Sequence, residues 1–142
     1  MKKILIAMDG SEPALKAMRT ASGLAQSTGA MLALAYVMSK PLTYPADLPG
    51  WDMEGFEAGE RAWAKSMLAD AAKQARALGV REVTTVVLRG APAEELADEA
   101  ARHEYDLVAV GSRGRGAVTR VLLGSAADRL VHVCKKPVLV VH

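Results

Sequence analysis

The feature that most constrains the fold is a regular alternation of short apolar runs with segments of helical periodicity. The first run, Lys3 to Met8, is closed by Asp9-Gly10 and is typical of a strand buried on both faces of a parallel sheet. The other predicted strands are Met31 to Val37, Val83 to Leu88, Leu107 to Val110 and Pro137 to Val141. Strands joined by helices must run parallel, with right-handed crossovers. The chain is therefore predicted to form one domain over residues 1–142, an open, doubly wound α/β fold with a five-stranded parallel sheet.

The helical segments carry their own start and stop signals. Ser11 can cap the first helix, and Gly29 can end it. A long second helix is predicted from an apolar stripe at spacings of three and four, formed by Trp63, Met67, Ala71, Ala75 and Leu78. The third helix should follow Gly90-Ala91-Pro92, and the fourth should cover Ser125 to Val133.

Between the second strand and the second helix, Met38 to Gly59 is punctuated by prolines and glycines and is predicted to be a long loop. Loops of this length are uncommon inside a compact domain. They often serve as lids or binding loops, and a surface insertion is an equally good interpretation.

Charge and apolar content exclude several classes of partner. A net charge of +2 argues against nucleic acid, because binding a phosphate backbone requires a dense basic face. No stretch approaches the ~18 apolar residues of a membrane span, and the N-terminal apolar run stops at Asp9, too early for a signal peptide. Cys134 is the single cysteine, so nothing indicates an oxidising compartment. We expect a cytoplasmic protein without nucleic acid or membrane partners.

The segment after the fourth strand offers the clearest chemistry. Three glycines and two arginines lie within Gly111 to Gly116. Glycine lets backbone N–H groups approach a ligand without a Cβ in the way. Gly124-Ser125 then opens a helix, whose N-terminus provides free N–H donors and a positive dipole end. This combination predicts a phosphate-binding site.

Two known phosphate loops do not fit this segment. Gly111 and Gly116 have the spacing of the Walker loop, but Ala117-Val118 replaces the Lys and Ser/Thr that grip phosphate and Mg²⁺. The dinucleotide pattern G-x-G-x-x-G fails as well, because the glycines have a different order and follow the fourth strand. With no convincing base in view, rapid phosphoryl transfer is not expected.

The segment does match G-x2-G-x9-G-[ST], through Gly111, Gly114, Gly124 and Ser125. Combined with residues 4–11, 90–94, 106–114 and 136–141, this pattern makes the whole chain resemble the universal stress protein family, in its ATP-binding branch. The resemblance implies strand order 3-2-1-4-5, an adenine nucleotide alpha hydrolase-like fold.

The resemblance also implies a ligand and a set of site residues. The ligand would be ATP, with Mg²⁺ or Mn²⁺ as an accompanying ion. Asp9 would approach the ribose or a phosphate-bound metal, and Val37 would contact adenine through its backbone. The residues surrounding ribose and phosphates would be Gly111, Arg113, Gly114, Gly124, Ser125 and Ala126.

These observations predict an ATP-binding regulatory protein of the stress response with little or no rapid hydrolysis. Two alternatives stay open. One is an ATP-using enzyme, either a slow ATPase or one that adenylates a substrate. The other is an interaction module that binds no nucleotide.

The last strand, Val138 to Val141, predicts a homodimer. It is apolar without a break, and only His142 follows it. In the strand order that the resemblance implies it lies at an edge, where unpaired N–H and C=O groups can pair with a second copy. Dimerisation through this strand is also what the resemblance implies. The competing interpretation is that Met38 to Gly59 covers the edge.

Overall fold

Strands and helices alternate strictly along the chain. The structure is a computed structural model that describes residues 1–39, 52–113 and 123–142. The elements are β1 (Lys3–Ala7), α1 (Glu12–Thr28), β2 (Met31–Met38), α2 (Met53–Ala77), β3 (Val83–Arg89), α3 (Pro92–Arg102), β4 (Leu107–Gly111), α4 (Ser125–Val133) and β5 (Val138–Val141).

The strands form one parallel sheet in the order β3-β2-β1-β4-β5, which confirms the predicted fold class. β1 lies at the centre between β2 and β4. Its residues Ile4, Leu5 and Ile6 are fully buried, as the continuous apolar run predicts for a strand covered on both faces.

Each face of the sheet has its own core. Ile4 and Ile6 point towards the face that α1 and α2 cover, where they join Met18 and Leu68. Leu5 points to the other face and packs in the cluster that α3 and α4 complete. Each fully buried Leu or Ile side chain stabilises the fold by about 1.5–3 kcal/mol. Alanines fill much of the helix–sheet contact in both clusters, so the helices can pack closely.

The predicted loop from Met38 to Gly59 is wrong at both ends. Met38 belongs to β2, where its carbonyl accepts a hydrogen bond from the Gly90 N–H at 3.0 Å. The C-terminal part is helical from Met53, because the Asp52 carboxylate caps α2 by accepting from the Gly55 N–H at 3.0 Å. Capping and packing outweigh the ~0.5–1 kcal/mol that each helical glycine costs. Residues 40–51 lie outside the described residues.

The predicted apolar stripe of α2 is correct at Ala71 and Ala75, which are buried, and wrong at Trp63 and Leu78. Trp63 and Leu78 are 41% and 44% exposed, whereas the buried residues are Ala64, Leu68, Ala71, Ala72 and Ala75. The helix turns its small residues to the sheet because they allow the closest approach. The Trp63 ring stays at the margin, edge-on to Tyr36 with 5.4 Å between ring centroids.

Within the described ranges, no helix combines the length and apolar character needed to cross a membrane.

Candidate functional site

A cavity of about 500 Å³ opens at the carboxyl edge of the sheet. Its walls come from the ends of β1, β2 and β4 and from the starts of α3 and α4. Its volume is within the range of small-molecule sites, and it lies where open parallel sheets bind their ligands. Seven of the eight predicted site residues line it: Asp9, Val37, Gly111, Arg113, Gly124, Ser125 and Ala126. The eighth, Gly114, lies outside the described residues.

One end of the cavity is formed by the N-terminus of α4. Gly124 is the N-cap residue, so Ser125 is the first helical residue and not the cap. Among the described residues, no side chain accepts a hydrogen bond from the first turn, and the first intrahelical bond runs from the Asp128 N–H to the Gly124 carbonyl. The preceding N–H donors therefore have no acceptor within the helix and lie at the cavity wall. This end is suited to an anion.

Ser112 holds that helix end in place. Its carbonyl accepts from the Gly124 N–H at 2.6 Å, and its own N–H donates to the Val141 carbonyl at 2.8 Å. The start of α4 is thus tied to the ends of β4 and β5. Ser112 is buried, and the sequence interpretation overlooked it because its contribution is made by the backbone.

Arg129 joins α4 to α3. Its Nε donates to Glu94 Oε1 at 2.7 Å, and this hydrogen bond is the main reason why the pKa of the Glu94 carboxyl lies below its ordinary value. The pair is well exposed, so it contributes more to the relative placement of the two helices than to stability.

Gly111 has a packing reason to be glycine. A Cβ at this position would lie 2.7 Å from the backbone C and O atoms of Pro13, in the first turn of α1. The close approach brings α1 against the end of β4, beside the cavity. The sequence pattern pointed to a phosphate contact at Gly111, and the structure adds this helix contact as a second constraint.

Asp9 follows β1 at the centre of the sheet edge. Its Oδ1 accepts from the Ser11 N–H at 2.9 Å and from the Ser11 hydroxyl at 2.5 Å. The Ser11 hydroxyl oxygen also accepts from the Ala14 N–H at 3.3 Å, which caps α1 as predicted. The same serine therefore begins the helix and orients the carboxylate at the cavity wall.

Val37 presents its peptide to the cavity because β1 ends early. The last β1–β2 pair is Ala7 with Ala35, whose carbonyl accepts from the Met8 N–H at 2.7 Å. Backbone groups of alternate residues in a strand point to the same side. The N–H and C=O of Val37 therefore point as those of Ala35 do, beyond the end of β1. This geometry agrees with the predicted backbone contact.

Two further residues on this side of the cavity, Tyr36 and Glu60, were missed by the sequence interpretation. The Tyr36 hydroxyl donates to Glu60 Oε1 at 2.8 Å. Glu60 lies four residues before Ala64, at the start of the buried stripe of α2. A carboxylate one turn before the buried residues was the signal available in the sequence. It was not recognised because the stripe was predicted to begin at Trp63 and not at Ala64.

In the described ranges there is no group of three His, Cys, Asp or Glu side chains that could hold a metal by itself. Asp9 is a carboxylate at the cavity wall. One carboxylate combined with ligand phosphates is a common way to bind Mg²⁺. The residues present therefore fit an ion that arrives with a polyphosphate.

Comparison with known proteins matches residues 1–142 to the Universal stress protein family. A universal stress protein of Methanocaldococcus jannaschii is 34% identical over 145 residues, covering 99% of this chain and 81% of that protein. Among solved structures, the universal stress protein UspA from Lactobacillus plantarum has a TM-score of 0.87 and 26% identity, covering 99% of this chain and 97% of that one. A universal stress protein solved in complex with cAMP has a TM-score of 0.75 and 26% identity, with 99% and 96% covered.

The family match covers every residue, and the sheet order is the one that the resemblance implied. The chain belongs to the universal stress protein family.

Proposed function

We propose that this protein binds ATP or a related adenine nucleotide and acts as a regulatory protein of the stress response. The observation that carries the proposal is that the N-terminus of α4 and the exposed peptide of Val37 line the same cavity. Val37 lies in β2 and α4 follows β4, so the two groups are on opposite sides of β1. Two strand spacings, about 10 Å, separate β2 from β4. The proposed ligand has its phosphate at α4 and its base at Val37. The relative bound to cAMP supports an adenine nucleotide as the ligand class.

The first test is to denature freshly purified protein and to chromatograph what is released. The second is to titrate folded protein, freed of any such ligand, with ATP, AMP and cAMP by calorimetry. Saturable one-site binding of at least one of them is expected. Absence of binding by all three, in a protein that melts cooperatively, would refute the proposal.

We further propose that bound ATP is hydrolysed slowly or not at all, well below the ~10 s⁻¹ typical of enzymes. The support is the missing Walker lysine and the small number of carboxylates in the cavity: among its described lining residues only Asp9 and Glu60 carry one, and Asp9 Oδ1 already accepts from Ser11. Phosphate release at several turnovers per second with Mg²⁺, abolished in Asp9→Ala, would contradict this.

We propose that Mg²⁺ or Mn²⁺ binds together with ATP, through the phosphates and Asp9. Mg²⁺ should then strengthen ATP binding by the parent protein and have much less effect on Asp9→Asn. AMP binding, with a single phosphate, should respond little to the ion in either protein. An equal response to Mg²⁺ in both proteins would remove Asp9 from the ion site.

We also propose the homodimer through β5. The Pro137 carbonyl accepts from Val108 in β4 and the Val141 carbonyl from Ser112 directly after it, so the backbone groups of Val138 and Val140 point to the outer edge of the sheet. Val140→Pro therefore removes an outer N–H without breaking the β4–β5 ladder. A sedimentation experiment should show a dimer for the parent protein and a monomer for Val140→Pro.

The matched control is Thr85→Pro on β3, the opposite edge of the sheet. Glu82 and Gly90 bond to β2 through their backbone, so the backbone groups of Thr85 point outward as well. Thr85→Pro should remain dimeric. A parent protein that sediments as a single species near 15 kDa would refute the dimer.

A further inference from the structure

We propose that Glu60, held by Tyr36, selects nucleotides whose base carries an exocyclic amino group over those with an oxo group at the same position. The inference rests on the proposed nucleotide-binding function and assigns the base specificity of that site. For purines, the predicted preference is for adenine over hypoxanthine, in which an oxo group replaces the 6-amino group and N1 carries a hydrogen.

The carboxylate is fixed by a rigid partner. The Tyr36 hydroxyl donates to Glu60 Oε1 at 2.8 Å, and Tyr36 itself is only 4% exposed. Its ring meets the Trp63 ring edge-on, at an interplanar angle of 76°. Glu60 is half-buried on α2. The hydrogen bond engages Oε1 and thereby sets the direction of the second oxygen, Oε2.

The pair lies at the base end of the cavity. Tyr36, Glu60, Val37 and Ser39 line the side formed by the end of β2, whereas α4 forms the side beyond β4. Phosphate bound at α4 leaves the far end of the nucleotide near Val37. A group on the base is therefore the ligand atom best placed to meet Glu60.

The chemistry of a carboxylate decides which group that is. An ionised carboxylate only accepts hydrogen bonds. Oε1 is occupied by the tyrosine, and no described residue donates to Oε2, which can therefore accept from an N–H donor such as the amino group of adenine. An oxo group there would place two acceptors in contact, and neither could be satisfied. Sites built to hydrogen-bond a ligand discriminate strongly against analogues that leave their polar groups unpaired.

Glu57 provides a matched control. It lies one helical turn before Glu60 and is equally half-buried, but its carboxylate pairs with both terminal nitrogens of Arg89, at 2.5 and 3.1 Å. Glu57 does not line the large cavity. Glu57→Gln therefore removes a carboxylate from the same helix at a position that does not line the cavity.

The experiment measures AMP and IMP binding by calorimetry for the parent protein and for Glu60→Gln, Glu57→Gln and Tyr36→Phe, with a thermal melt of each variant. The parent should prefer AMP by about tenfold or more, because a hydrogen bond to a charged group is gained with one base and lost with the other. In Glu60→Gln, Tyr36 can keep the amide oxygen and turn the NH₂ group to the base, so the preference should disappear or reverse. Glu57→Gln should keep the parent preference, and Tyr36→Phe should fall between.

Two results would overturn the inference: a parent protein that binds AMP and IMP equally, or a Glu60→Gln variant that binds both and keeps the parent preference. The second result would also be seen if Glu60 contacted a ribose hydroxyl. Absence of binding by both nucleotides to the folded parent protein would instead refute the proposed function, which keeps the two failures distinct.

Discussion

The N-termini of α1 and α4 meet the same cavity and differ in how their first-turn N–H groups are satisfied. In α1, Ser11 accepts from the Ala14 N–H, and Pro13 has no N–H to offer. In α4, the cap is Gly124, which has no side chain, and among the described residues nothing else caps the turn. The first-turn N–H groups of α1 are satisfied by a neighbouring side chain, whereas those of α4 lie at the cavity wall.

The two helix starts therefore differ in use: the N–H groups of α1 stabilise the fold, and those of α4 remain available for binding. A serine cap stabilises a helix start by only a few tenths of a kcal/mol more than a glycine cap does, and α4 lacks this small gain. In return its donors and dipole remain available to an anion. The completed start of α1 instead orients Asp9, through the two hydrogen bonds from Ser11.

The largest effect is expected from making α4 resemble α1. Ala126→Pro puts a proline at the second residue of α4, the position that Pro13 has in α1. The substitution removes one N–H from the cavity wall. Ala126 is exposed, and proline is tolerated in a first turn. AMP affinity should fall about tenfold to a hundredfold, the value of a hydrogen bond to a charged group. Calorimetry and a thermal melt check this, and unchanged affinity in the folded variant would exclude α4 as the phosphate site.

The next effect is on stability and separates the two helix starts. Ser11→Ala removes the cap of α1 and should lower the free energy of unfolding by about 1 kcal/mol. Ser125→Ala removes a hydroxyl that caps nothing, so its loss should be a few tenths of a kcal/mol at most. Urea unfolding of both variants provides the comparison. Equal losses would mean that the two serines have the same structural role.

A smaller effect is expected when α4 receives the cap it lacks. Gly124→Ser should raise the free energy of unfolding by a few tenths of a kcal/mol, because serine caps only slightly better than glycine. The new hydroxyl would compete with phosphate for the first-turn N–H groups, so nucleotide affinity should fall severalfold. The opposite signs are the diagnostic result. A variant that becomes both more stable and tighter in binding would contradict the proposed competition between the serine hydroxyl and phosphate for the same N–H groups.

The smallest effect on binding is expected at the amino ends of the strands, on the side of the sheet away from the cavity. The pKa of the Asp106 carboxyl lies below its ordinary value, because the backbone N–H groups of Lys2 and then Lys3 donate to it, at 2.7 and 2.9 Å. A carboxyl with a lowered pKa in the folded state stabilises the protein above its ordinary pKa, and the contribution disappears as the pH falls through the lowered value. Asp106→Asn should thus be less stable than the parent at neutral pH, with the difference shrinking below about pH 4. Its AMP affinity at neutral pH should equal that of the parent, and a loss would show that affinity follows general stability.

Much of the fold followed from local signals in the sequence. Ser11, Gly29 and the β-branched or apolar runs act on their immediate neighbours, so their effects could be predicted without tertiary contacts. Gly29 ends α1 as predicted, in a left-handed conformation with φ of 78°, and α4 covers the predicted residues Ser125–Val133. The failures lie in α2, where Gly55 and Gly59 indicated a loop. The Asp52 cap and the packing of the rest of the helix, from Ala64 onwards, decided that segment, and packing is invisible to local propensity.

The sequence by itself determined the order of the elements, the parallel sheet and the glycine-bearing segment before α4, because periodicity and backbone preference act over a few residues. Only the tertiary structure decided which groups share the cavity. The early end of β1 turns the Val37 peptide outward, the contact of Gly111 with Pro13 sets α1 beside β4, and the rotation of α2 brings Glu60 to Tyr36. These contacts join residues far apart in the chain, and their geometry depends on how whole helices seat on the sheet.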